Sequence, residues 1–201
     1  VTEHAWVFGG FLGTLGFLAT HGVMADWFKW WRGQETSDHH EDPAGWLKFL
    51  GPSLDHKVIG IQYTVTAIIL LVVGGTFALI FRTELSIQPG NFLSPDQYNT
   101  LMSLHGMIMI VSILLGIAGL MNYLVPLLIG AHDMAFPRLN AFSFWIAVPA
   151  AVWLLMSMPL GGVETGWTGY PPLSANPAKI GQSMFFLGVF VAGWSSILGS
   201  L

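Results

Sequence analysis

Residues 101–125 read LMSLHGMIMIVSILLGIAGLMNYLV. The stretch holds no Asp, Glu, Lys or Arg, yet carries a histidine, His105, near its start. A helix rises about 1.5 Å per residue, so about 20 apolar residues cross the hydrocarbon of a bilayer. The stretch is therefore read as a membrane-spanning helix with an imidazole inside it. Four more stretches qualify: 5–28, 58–81, 139–160, and a run that starts near 181 and is cut off at 201. The polar, Pro- and Gly-bearing segments 32–55, 83–97 and 161–178 read as loops. Asp55 reads as an N-cap for the second span.

Composition agrees. The chain of 201 residues is 53% hydrophobic and 9% charged, against about 25% charged in soluble domains. So few charges cannot cover a water-facing surface, and the expected fold is an all-α polytopic transmembrane helix bundle. The net charge of −4, with no basic tract, argues against nucleic acid as a partner. There is no cysteine, which excludes disulfides, zinc ribbons and iron–sulfur ligation. Any metal must be held by His, carboxylate or Met. Glu3 stands where a secretory signal would have basic residues, so no cleavable signal is expected. Both ends of the chain read as truncations.

Basic residues orient the spans. Lys29, Arg32, Lys48, Lys57 and Arg138 fall on one side, Arg82 and Lys179 on the other. The positive-inside bias puts the 32–55 and 126–138 loops inside, and the chain start with the 83–97 and 161–178 loops outside.

Of seven histidines, His21 and His105 lie within spans. His4 is terminal. His39 and His40 sit beside Asp38, Glu41 and Asp42 and read as a solvated loop. An ionisable group in hydrocarbon is either functional or a satisfied structural residue. His21 and His105 are not expected to share one iron. Both helices run outward to inward, with His21 about 24 Å and His105 about 6 Å from their starts. Around His105, Gly106 and the stripe Ser112, Gly116 and Gly119 permit close approach of a helix or a flat cofactor. Met102, Met107 and Met109 add adaptable contacts. Arg82, near the outer end of the second span, is expected as a buried guanidinium at the depth of His105.

Several motifs resemble one family. They are Asp55–His56–Lys57, Phe81–Arg82–Thr83–Glu84–Leu85 with Pro89–Gly90, Leu104–His105–Gly106, Asn122–Tyr123–Leu124–Val125–Pro126, and the run Ile129 to Asn140. Ser143–Phe144–Trp145, Gly166 to Leu173 and Ser195 to Gly199 continue the series. Together they resemble subunit I of the heme–copper oxidases, the cytochrome c oxidase subunit 1 type, over residues 55–201. That family folds as a bundle of about twelve spanning helices. The resemblance implies that residues 55–201 are its first four helices, the last cut short. Residues 1–54 would then be an extra N-terminal transmembrane helix and inner loop.

The resemblance also assigns roles. His105 matches one axial ligand of a low-spin heme, with heme a expected. Arg82 matches the arginine at that heme's edge. Trp167 and Tyr170 match the outer segment near its propionates. Glu84 and Gly90 resemble part of an outer calcium or sodium site, although a solvated loop carboxylate explains Glu84 equally well. Asp133 matches the mouth of the proton-uptake path called the D-channel. Asn122 and Asn140 match amides that narrow that path, Tyr63 and Ser143 its wall, Ser195 and Ser196 its upper part, and His56 a group near its entrance.

The implied function is that of a proton-pumping terminal oxidase, an enzyme that oxidises cytochrome c and reduces oxygen to water. The implied partners are cytochrome c, subunits II and III and membrane lipid, in a bacterial or archaeal plasma membrane. Quinol-oxidising relatives carry Arg, Asp and His at three positions that read Val73, Phe77 and Gln97 here, which favours cytochrome c as donor. The second axial histidine, the high-spin heme ligand and the copper B histidines are expected beyond Leu201, so this fragment alone is expected to be inactive. A quinol oxidase, or a non-catalytic scaffold derived from the family, remains the alternative.

Overall fold

A computed structural model of the chain describes residues 2–36, 43–87, 92–175 and 179–200. Among them the structure is helical, with no strand. The elements are α1 (Glu3–His21), α2 (Ala25–Trp31), a 3-10 turn (Gly45–Leu50), α3 (His56–Ser86), α4 (Pro95–Ile129), α5 (Pro137–Met156), a short turn (Leu173–Ala175) and α6 (Ile180–Gly199). Four of these, α3 to α6, are long and apolar enough to cross a membrane, and α1 with α2 makes a fifth if the bent pair is one span. The protein is an integral membrane helix bundle. The loop histidines His39 and His40, and Gly90, lie outside the described residues.

The sequence punctuates these helices. Asp55 caps α3, its carboxylate accepting from Lys57 N at 2.8 Å. Ser94 and Gln97 close a reciprocal capping box on α4, with Pro95 at its first position. Gly130 ends α4 at φ 70°, in the left-handed region that favours glycine.

Two expectations shift. The stretch 5–28 is not one helix: it breaks at Gly22, φ 95°, and α2 turns 86° away from α1. α2 reads ADWFKWW, with Asp26 and Lys29 among four aromatics. Such a helix suits the interface between headgroup and hydrocarbon, not the bilayer interior. α3 and α4 also overrun their expected ends, at 31 and 35 residues. The added residues include polar ones at both ends of α3, such as His56, Lys57, Arg82 and Glu84, and in the capped first turn of α4, so the hydrophobic run alone underestimates each helix.

α3 and α4 form the tightest helix pair, and its seam is built of small residues. A Cβ on Gly60 would stand 2.9 Å from Gly119 O, and one on Gly119 would stand 2.5 Å from Thr64 Oγ1. Ser112 Oγ donates to Ala67 O at 2.7 Å. His105 meets Gly74, and Tyr98 meets Phe81 with ring centroids 5.8 Å apart. The contact positions Gly60, Ala67, Gly74 and Phe81 recur every seven residues, as do Tyr98, His105, Ser112 and Gly119. That repeat is the one of left-handed, near-parallel helix axes. The stripe Ser112, Gly116 and Gly119 thus serves helix approach.

α5 and α6 pair in the same manner, with Gly188 against Ala150 O and Leu154. α1 docks on this pair: Gly10 faces Leu187 and Trp153, and Trp153 Nε1 donates to Thr14 Oγ1 at 2.9 Å. Ion pairs mark the two ends. At one, Lys179 reaches Asp96 at 3.2 Å and also Glu164, and these hydrogen bonds raise its pKa above the usual lysine value. At the other, Arg138 reaches Asp26 at 3.0 Å.

The seam makes a paired prediction. Gly119→Ala forces a backbone-level contact and is expected to lower stability by about 1–3 kcal/mol. Gly116→Ala, whose Cβ would meet Ala67 Cβ at 3.7 Å, is expected to be neutral or slightly stabilising. Helix propensity is the same in both, so thermal unfolding in detergent reads the packing difference.

Candidate functional site

His105 sits half-buried on α4, facing α3. Its Nδ1 lies 2.8 Å from Gly74 O. A carbonyl can only accept, so Nδ1 carries a proton, and in the neutral ring Nε2 keeps the lone pair. The hydrogen bond therefore fixes both the tautomer and the ring orientation. The carbonyl is reachable because Gly74 has no side chain; a Cβ there would stand 3.0 Å from Met109 Sδ. The ring edge of Phe81 closes one side, at 5.6 Å and 73°. Trp167 covers the neighbouring Gly106, where a Cβ would meet its side chain at 3.2 Å.

Trp167 is held there by the loop after α5. Val163 N donates to Thr100 Oγ1 at 3.1 Å, and Gly166 N donates to Ser103 Oγ at 3.0 Å. Both hydroxyls belong to the turn of α4 just before His105. Tyr170 is 72% exposed and Trp167 54% exposed, so both rings are open on one face.

Arg82 differs from expectation. Its side chain is exposed, not buried. Phe81 occupies the seam position, and the next residue on a helix points about 100° away. Arg82 lies within one residue of the Phe81–His105 contact, on an open face of α3. Glu84 differs too: its carboxylate is buried and accepts from Phe92 N and Leu93 N, both at 3.1 Å. It clamps the loop before α4 and is not a solvated carboxylate. Among the described residues no group of three or more His, Asp or Glu is placed to hold a metal ion.

His21 and His105 stay apart. Glu3 bonds Ser183 on α6, and Asp96 bonds Lys179 just before α6, so α1 and α4 start at the same end. From those starts His21 lies about 27 Å along and His105 about 15 Å along. The His21 ring lies 3.8 Å from that of Trp145 on α5, not against α3.

The second group of residues lies toward the other end. Asp133 is half-buried in the turn after α4, with Oδ1 accepting from Met134 N at 2.7 Å. It faces a cavity of about 870 Å³ shared with His132, Asp55, Lys57 and Arg138. A second cavity, of about 380 Å³, runs between helices and is lined by Tyr63, Asn122, Ser195 and Ser196. Met134 lines both. Tyr63 Oη lies 2.8 Å from Ser143 Oγ, which donates to Asn140 O at 2.7 Å, and Ser195 Oγ donates to Ser143 O at 2.7 Å. Asn122 Oδ1 and Asn140 Nδ2 are buried with no hydrogen-bond partner among the described residues. Ser196 is exposed on α6. His56 is buried, its Nδ1 donating to Asn122 O at 2.9 Å, so it ties α3 to α4 and does not open onto the larger cavity.

The family described as cytochrome c and quinol oxidase polypeptide I matches residues 58–201. The chain belongs to this family. It is 51% identical over 164 residues to cytochrome c oxidase subunit 1 of Thermostichus vulcanus, which covers 81% of this chain and 30% of that protein. It is 46% identical over 157 residues to the subunit 1 of a Synechocystis species, covering 78% of this chain and 28% of that protein. A heme–copper oxidase subunit I+III of Aeropyrum pernix is 43% identical over 152 residues, 73% of this chain and 19% of that protein. The chain thus spans less than a third of the length of these relatives. The His105 pocket and the smaller cavity lie within the matched region, while the larger cavity is lined on one side by residues before it, Trp27, Trp30, Leu54, Asp55 and Lys57.

Sequence reasoning missed Gly74, Thr100 and Ser103. Thr100 and Ser103 carry a findable signal, being hydroxyls about one and a half turns and half a turn before His105. Thr100→Ala would leave the buried Val163 N–H without an acceptor, at a cost of about 1–3 kcal/mol. Faster amide exchange at Val163 checks this; native protection there would contradict it.

Proposed function

We propose that this chain is the front part of the heme-bearing subunit of a respiratory terminal oxidase. On this reading the complete protein oxidises cytochrome c, reduces oxygen to water and pumps protons. The observation that carries it is the Nδ1–H of His105 bonded to Gly74 O. Metal-ligating histidines typically donate their other N–H to a carbonyl or carboxylate, and the free Nε2 here suits heme iron. The pocket fits the group: His105 supplies a ligand, Phe81 and Gly106 flank it, and Trp167 and Arg82 stand beside it with open faces for propionates or ring substituents. A six-coordinate low-spin heme, taken here as heme a, supplies one-electron transfer without binding oxygen. Its second ligand, the high-spin heme and copper B belong to the remainder of the protein. Glu84 with Gly90 remains a proposed calcium or sodium site on resemblance alone.

The proton reading rests on the two cavities. Asp133 stands at the larger one, where a carboxylate can collect protons from water. Buried polar atoms are almost always hydrogen-bonded, by protein or by ordered water. That Asn122 Oδ1 and Asn140 Nδ2 are buried with no partner among the described residues supports reading them as groups that line a proton path. Tyr63, Ser143, Ser195 and Ser196 continue it through the smaller cavity. His56 orients the Asn122 segment.

Val73, Phe77 and Gln97 support cytochrome c over quinol as donor; Gln97 is engaged in the α4 cap, its Oε1 accepting from Ser94 N at 2.9 Å. The printed name of the Aeropyrum relative, subunit I+III, supports a subunit III as partner; subunit II is proposed on resemblance. The proposed setting is a bacterial or archaeal plasma membrane. Residues 1–54 are proposed as an extension to the family core of 55–201.

In the full-length oxidase, His105→Leu is expected to abolish the low-spin heme absorption band, and an intact band would remove His105 as ligand. Asp133→Asn is expected to slow turnover by about tenfold or more and to stop proton ejection from reconstituted vesicles. Native turnover with native stoichiometry would count against the path.

A further inference from the structure

Residues 58–81 of α3 hold no Asp, Glu, Lys or Arg. That uncharged run is about 36 Å long, against about 30 Å of hydrocarbon. On an upright helix it overhangs the hydrocarbon edge by about 3 Å at each end, so Gln62, about 7 Å past Lys57, lies inside that edge. The Gln62 side chain is buried, and its Nε2 donates to Phe49 O at 3.2 Å and to Gly51 O at 2.8 Å. The chain at 49–51 therefore does not hang in water beyond the end of α3. It lies about 9 Å up the flank of α3 from His56, and returns through Pro52 to the cap at Asp55. Backbone carbonyls withdrawn from water need protein donors, and the Gln62 amide supplies them.

The 3-10 turn Gly45–Leu50, which reads GWLKFL, leads into this bracket. Side chains three apart eclipse in such a turn, so Leu47 and Leu50 form one edge. They are 50% and 59% exposed, and Trp46 beside them is 68% exposed. The one charge of the turn, Lys48, is half-buried with its Nζ 5.1 Å over the Phe49 ring. Ile61 and Val65, to one side of Gln62 on α3, are exposed too and carry the apolar surface deeper along the helix. We propose that residues 45–51 are a membrane anchor, seated in the boundary between headgroups and hydrocarbon of the leaflet where α3 begins. Leu47 and Leu50 rest on acyl chains, Trp46 lies at headgroup level, and Gln62 is the bracket that holds the segment at that depth. Tryptophan, leucine and a lysine on a short helical turn suit that boundary. The occupant of this face is therefore lipid, and the chain before α3 meets the leaflet twice, at α2 and at 45–51. The second contact pins the start of α3 in depth.

The test uses the full-length protein in phospholipid nanodiscs. The 201 residues hold no cysteine, so Leu47→Cys and Leu50→Cys each place one nitroxide label on the turn, and the unsubstituted protein treated in the same way gives the blank. Collision of the label with oxygen, which concentrates in hydrocarbon, is compared with collision with a water-soluble nickel chelate. Both labels are expected to favour oxygen and to read a depth of about 5–10 Å into the boundary. Nickel-favoured collisions at either position overturn the anchor. Low rates with both reagents mean cover by protein, and overturn the lipid contact as well. Gln62→Leu, and Gln62→Asn whose shorter amide cannot reach both carbonyls, are expected to turn the same labels toward the nickel chelate. An unchanged depth in these variants removes Gln62 as the bracket.

Discussion

The structure depends on how closely α3 and α4 approach. In a bilayer, lipid tails are as apolar as leucine, so helices gain little by burying apolar side chains against each other. Close packing and interhelical hydrogen bonds must hold them instead. Here the seam uses both. Gly60 and Gly119 bring the backbones into contact, and Ser112 Oγ bonds Ala67 O across the same interface. One repeat farther, the same approach brings His105 to Gly74 O. The bond that orients the imidazole is thus a seam contact, in register with the glycine contact two repeats away.

At its other end the seam continues into the polar half of the molecule. His56 bonds Asn122 O, which fixes the last turns of α4 and the turn that carries Asp133. α5 and α6 then add Asn140, Ser143 and Ser195 on a shared hydrogen-bond chain with Tyr63 of α3. Polar groups from four helices meet at one level because the α3–α4 and α5–α6 pairs each close on small residues. The N-terminal segment, which lies before the family match, is tied in at the Asp133 end through Arg138.

Much of this was legible in the sequence. The spans follow from runs such as 101–125, because hydrocarbon tolerates few charges. Asp55 announced a cap, and the separation of His21 from His105 followed from helix rise alone. The stripe Ser112, Gly116 and Gly119 was visible, although its choice of helix over cofactor was not. What escaped has a common physical cause. The acceptor for His105 is a backbone carbonyl, exposed by the absence of a side chain at Gly74, and sequence does not display backbone atoms in three dimensions. Arg82 was expected buried because its depth was readable and its face was not; the seam phase places Phe81 inward and Arg82 outward. The bend at Gly22 hid within a mostly apolar run, since glycine permits both a helix and a left-handed stop. Asp26 meets Arg138 across 112 residues of sequence, a pairing no local pattern announces.

The claim that the α3–α4 seam orients His105 toward a heme can be tested at Gly74. In the full-length oxidase, Gly74→Val would push against Met109 and Ile108 and stretch the bond from His105 Nδ1 to the carbonyl. A weaker bond makes the imidazole a poorer donor to ferric iron. A redox titration of the low-spin heme should then show its band retained and its midpoint potential raised. A potential equal to that of the unaltered enzyme, with the band intact, would contradict the claim.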